Sequence, residues 1–148
     1  MMSQPDDKLS YQIEAVQIGL YCDIIQSILC YNPSLSVIKL LTFCFIIKKN
    51  HTLHFECYTA NNKNDLVLKA LSQISGRSKE LYSQIPFIIK SIDILITSGF
   101  CENHFNEVLA TAKIKPGETS ISNFIKSAID ESISYTDKQF LKEVIAIV

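Results

Sequence analysis

A chain of 148 residues has the size of one domain and can bury a real core. Its net charge is −1 and Arg77 is its only arginine, which leaves little to set against a phosphate backbone and disfavours a direct nucleic-acid role. Hydrophobic content of 47% lies at the apolar end of the soluble range, yet Asp23, Pro33 and Lys48-Lys49 interrupt each candidate for a spanning helix of about 20 apolar residues.

Residues 1–10 (MMSQPDDKLS) are acidic and polar, the opposite of a signal peptide. They read as a disordered lead-in to a cytoplasmic protein whose single domain covers residues 11–148. Ile13, Val16, Leu20, Ile24, Ile28 and Tyr31 recur at three- and four-residue steps and predict a first long helix. Gly19 weakens its middle by about 1 kcal/mol relative to Ala. The most apolar run of the chain follows, Leu35–Ile47 (LSVIKLLTFCFII). Asn32 as a cap and Pro33 in the first turn predict a helix from Pro33 to near Lys48. Only Ser36, Lys39 and Thr42 break its apolar circumference, so it must be covered by protein nearly all round. That need points to a chain built to sit against a partner.

His51–Tyr58 alternates and is rich in β-formers, which predicts a short strand, and 60–64 is a polar turn. Asp65 is placed to cap a third helix carrying Leu66, Val67, Ala70, Leu71 and Ile74, which stops at Gly76. Leu81, Ile85, Ile88, Ile92 and Leu95 predict a long helix that either kinks or begins at Pro86, and that Gly99 ends. Two extended runs, Phe100–Phe105 and Glu107–Ile114, are joined at Asn106. Ile121, Phe124, Ile125, Ala128 and Ile129 form an amphipathic helix capped by Thr119 or Ser120. The last helix opens on Thr136-x-x-Gln139, a capping-box pattern, with Phe140, Leu141, Val144, Ile145 and Val148 on one face. The fold class is mostly α with a small β wing, in one winged-helix-like domain.

Little in this order carries chemistry. His51-x-x-His54-x-x-Cys57 resembles half a metal site, but on a strand His54 faces away from the other two, and Cys101 or His104 would have to complete it from afar. Surface histidines and a packed thiol explain the group better, so no metal and no cofactor are expected. Cys101 and His104 are three apart without an obvious orienting carboxylate beyond Glu102 and Glu107, so no catalytic residue is assigned. None of the 4 glycines stands in a phosphate-loop setting. The 5 cysteines, three of them among Ile and Leu, read as reduced, buried thiols. A winged helix would read DNA with Pro86–Ser98, whose only charges are Lys90 and Asp93, so this one is expected to dock protein.

Three stretches carry a resemblance to a known group. They are Tyr31-Asn32-Pro33-Ser34-Leu35 with the apolar helix after it, Ile85–Gly99 with its two extended runs, and the closing Lys138-Gln139-Phe140-Leu141-Lys142. From about Tyr11 to Val148 the chain resembles the middle component of three-component ABC-ATPase systems, which include the accessory subunit of Lamassu anti-phage and anti-plasmid defence. The resemblance implies a non-catalytic bacterial subunit bridging an SMC-like ABC ATPase and a nuclease-like effector. It implies contact with DNA only through the complex, no membrane and no small-molecule substrate. Tyr31, Tyr135 and Phe140, at helix ends beside polar turns, are the aromatic candidates for the partner interface. The alternative from another class is a small winged-helix transcription regulator or antitoxin-like repressor.

Overall fold

A computed structural model describes residues 5–50, 65–117 and 119–148. The expected strand His51–Tyr58, the turn after it and the His51/His54/Cys57 group lie outside the described residues. The elements are α1 (Pro5–Tyr31), β1 (Ser34–Ser36), α2 (Val37–Asn50), α3 (Leu66–Ser72), α4 (Ser78–Thr97), β2 (Cys101–His104), β3 (Glu107–Ala110), α5 (Asn123–Ser132) and α6 (Asp137–Ile147). Among the described residues this is a mostly helical single domain with one three-stranded antiparallel sheet.

The core is organised around α2. Leu40, Phe43, Cys44 and Ile46 are all fully buried, with α1, α4, α5 and α6 packed about them. The polar stripe is buried too: Ser36 is 5%, Lys39 7% and Thr42 4% exposed. Each stripe residue has an internal partner, as buried polar groups require. The Lys39 Nζ donates to the Tyr135 carbonyl at 2.7 Å, Thr42 Oγ1 donates to the Ile38 carbonyl, and Ser36 Oγ accepts from the Lys39 N–H. The chain itself therefore covers most of α2, and Val37, Ile38 and Leu41 stay half-buried.

The start of α2 also differs from the sequence reading. Asn32 caps nothing there, because its N–H continues α1 by donating to the Ile28 carbonyl. Ser34–Ser36 then runs extended, paired antiparallel with β3 in the register Leu35 opposite Val108. The alternation Ser-Leu-Ser sends Leu35 into the core, and the Pro33 carbonyl accepts from Ala110 N–H at 2.8 Å. Strand pairing with β3 outweighs the local preference of Pro33 for a first helical turn, and Ser36 takes over as the cap.

Similar exchanges of partner recur at other helix ends. Asp65 has φ 68 and makes no cap, and the first N–H of α3 instead donates to Glu131 of α5 at 3.0 Å. The cap of α5 is Ser122, not Thr119 or Ser120, since its side chain accepts from Ile125 N–H. The helix α4 passes through Pro86 without beginning there, and its end is a Schellman motif. Gly99, at φ 82, donates to Ile96 and Phe100 donates to Leu95, so the orphan carbonyls are satisfied. The Thr136–Gln139 capping box of α6 is present in both halves.

The helix α1 begins at Pro5, well ahead of Ile13, and takes in part of the expected lead-in. Its Asp7–Tyr31 portion is long and apolar enough, by length and composition, to cross a membrane, because Asp23 does not interrupt it enough to fail that test. Tyr21, Ile24, Ile25, Ile28 and Leu29 of the same helix are buried in the domain core.

Two substitutions test this arrangement. Phe140→Ala, which empties a fully buried site against Phe43, should cost about 3–5 kcal/mol in chemical denaturation. Glu131→Ala, which removes the cap of α3, should cost about 1 kcal/mol by the same measurement.

Candidate interaction surface

Among the described residues, Cys101 and His104 are kept apart by the fold. Cys101 is buried at the start of β2, whereas His104 ends the same strand exposed and contacts Glu102 at 3.2 Å. The Cys101 thiol is pushed up to about 11, by burial first and then by the neighbouring Cys22. Cys22 is raised by burial as well, against a lowering side-chain hydrogen bond with Ser91, and burial raises Cys44 far above the ordinary thiol range. A thiol held protonated makes a poor nucleophile and a poor metal ligand. Among the described residues no three His, Cys, Asp or Glu side chains are grouped as a metal site would need.

The three aromatic candidates fall in different environments. Phe140 is fully buried with its ring centroid 5.9 Å from that of Phe43, so it is a core residue and is corrected as an interface anchor. An apolar face at a helix end looks the same in sequence whether it meets its own core or a partner. Tyr31 is half-buried, donates to Asp130 Oδ2 at 2.6 Å and lies under the Lys126 ammonium. Its hydroxyl is raised, chiefly because that hydrogen bond holds the proton. Tyr135 is half-buried against the core, its carbonyl taken by Lys39.

The surface itself is uneven. The two cations that close α2 are tied inward: Lys48 donates to Gln84 and Gln17 and lies 4.8 Å over the Tyr21 ring, and Lys49 pairs with Glu80. Desolvation lowers the Lys48 ammonium first, and Lys49 beside it adds to the effect. On α4, Lys90 is paired with Glu14 of α1. Tyr82, Ile89 and Ile94 of α4 are exposed alongside Lys79 and Lys90.

Two exposed apolar features escaped the sequence reading. Phe105, expected at the end of a strand, forms the hairpin tip with Asn106 and is 99% exposed. Its φ of 57 occupies the first position of a two-residue turn, where glycine is favoured. The tip is held in place, because the Asn106 carbonyl accepts from Val37 N–H at 2.8 Å. Carboxylates of Glu102 and Glu107 lie exposed on the two strands behind it. The second feature is on α1, where Leu9, Ile13, Val16 and Leu20 are 57%, 54%, 61% and 46% exposed. Periodicity joined Ile13, Val16 and Leu20 to Ile24 and Ile28 as one core face, but only the latter two reach the core. Beside Leu20 opens an apolar cleft of about 510 Å³, lined by Ile24, Ile47 and Ile121 among others.

Compared with protein families, curated proteins and solved structures, this chain matches none.

The raised Cys101 has a consequence for pH dependence. Because its folded value of about 11 exceeds the 9.0 of an ordinary thiol, the native state keeps a proton that the unfolded chain has lost, and stability falls as pH rises between them. The decline measured by denaturation across that window should be shallower in Cys101→Ala than in the wild type.

Proposed function

We propose that this chain is a non-catalytic accessory subunit that bridges an SMC-like ABC ATPase and a nuclease-like effector in a bacterial anti-phage or anti-plasmid defence complex. The reading starts from the sequence resemblance and takes the domain as winged-helix-like. The element order supports the latter: a helix, a strand, helices, then a hairpin, with the sheet ordered β1-β3-β2 and the hairpin as the wing. The complex would act in the cytoplasm and meet DNA through its ATPase.

The observation that carries a protein-docking role is Phe105. A wing that meets a phosphate backbone carries Lys or Arg at its tip. Here the tip is a fully exposed phenylalanine with Glu102 and Glu107 behind it, which repels DNA and suits an apolar pocket rimmed by cations. A non-glycine residue at positive φ costs on the order of 1–3 kcal/mol, a cost that solvent exposure does not repay. Insertion into a partner does repay it. The pairing of Lys90 with Glu14 weighs against the repressor alternative, since the helix that would read bases offers no other cation between Pro86 and Ser98.

Replacing Phe105 by Gly separates stability from assembly. Phe105→Gly should raise stability by about 1 kcal/mol by relieving the strained turn. It should also weaken co-purification with the ATPase and effector by tenfold or more, as loss of an anchor of about 2 kcal/mol would. Unchanged assembly would remove Phe105 from the interface. The chain alone should bind duplex DNA with Kd weaker than about 10⁻⁶ M at physiological salt. A tighter, strongly salt-dependent gel shift would favour the transcription-regulator alternative.

A further inference from the structure

We propose that α1 pairs antiparallel, about a two-fold axis, with α1 of a second copy of this chain, through Leu9, Ile13, Val16 and Leu20. This inference stands apart from the functional reading and does not use it. The four side chains are each about half exposed and lie on one face of the helix, at steps of four, three and four. Those steps read the same in both directions. Reversing a second copy sets Leu9 against its Leu20 and Ile13 against its Val16, with β-branched residues at the centre and leucines at the ends. Self-complementarity of this kind is what a two-fold interface demands, since residue i must meet j while j meets i.

Charge agrees with the same register. Between Lys8 and Asp23 the only charged side chain of α1 is Glu14, and Lys90 of α4 already engages it. Between residues 9 and 22 the seam therefore brings no like charges together. At its ends the reversal carries exposed Lys8 of each copy to within reach of exposed Asp23 of the other, on the same side of the paired helices. Asp23 also comes to lie near the positive N-terminal end of the opposing helix. The cleft beside Leu20, about 510 Å³ in volume, opens where Leu9 of the second copy arrives.

The area fits a modest dimer. Eight half-exposed apolar side chains, at roughly 100 Å² each, give about 800 Å², and the residues flanking the seam bring this near the lower bound of about 1,200 Å² for a specific interface. A lipid surface suits the face less well, because among the described residues its edge offers Lys8 and the inward-tied Lys48, and Asp7 and Asp23 are exposed beside it.

Sedimentation equilibrium on the full chain, from about 1 to 100 µM, decides the matter. The wild type should be a dimer with Kd in the micromolar range, and Ile13→Glu should be monomeric with an unchanged circular dichroism spectrum. Asp23→Lys should weaken the dimer about tenfold, and Lys8→Asp combined with Asp23→Lys should restore it. A wild type that stays monomeric at the top of that range overturns the proposal, whether or not it floats with phosphatidylcholine vesicles. So does an Ile13→Glu variant that dimerises as tightly as the wild type, or a double charge variant that fails to recover.

Discussion

The rest of the structure depends on the burial of α2, none of whose residues is fully exposed. A helix buried along most of its circumference must find neighbours on several sides, and any buried polar side chain on it must be satisfied from inside. Lys39 is the demanding case, since an ammonium at 7% exposure tolerates no missing partner. It meets the demand by reaching the Tyr135 carbonyl, in the short link between α5 and α6. That contact fixes where the last two helices turn. The turn in turn lets Phe140 close over Phe43, and the Tyr135 link is the point at which burial of a charge and closure of the core become one constraint.

How far the fold was legible follows from whether each signal was local. The capping box of α6, the glycine end of α4 and the hairpin after it are set by residues within a few positions, and all are found. Features decided by distant partners were not. Asn32-Pro33 is a good helix start by local rules, but β3, some seventy residues on, recruits Ser34–Ser36 into a sheet. Asp65 looks like a cap, yet a carboxylate from α5 does the work. Sequence can show that a helix end needs an acceptor, but not which element will supply it.

The candidate site was harder to read for a related reason. Amphipathic periodicity says that a face is apolar and leaves open what it meets. Phe140 and Val148 continue one such face, and the fold buries the first in its core. On α1 the same periodicity runs unbroken from Ile13 to Ile28, while burial on that face changes between Leu20 and Ile24; α2 and α4 already meet the helix at Gln17 and Ile18, on another side. Phe105 carried a fainter signal. A lone aromatic beside Asn, between two short extended runs, is an odd choice for a tight turn, and that oddity was there to be seen.

The two exposed apolar features sit at opposite ends of α1, and this has a geometric consequence. The stripe occupies the first half of the helix, and the hairpin is bonded to β1, which follows directly on the helix's last turn. In the two-fold pair inferred above the axis crosses α1 between Ile13 and Val16. At about 1.5 Å per residue, the end of α1 near Tyr31 lies some 25 Å from that axis. The two α1 ends from which the hairpins are held would then stand on the order of 50 Å apart. Such a pair leaves both hairpins free to engage separate protein surfaces at once. One small domain thereby gains two points of attachment, through the copy it pairs with rather than through added chain.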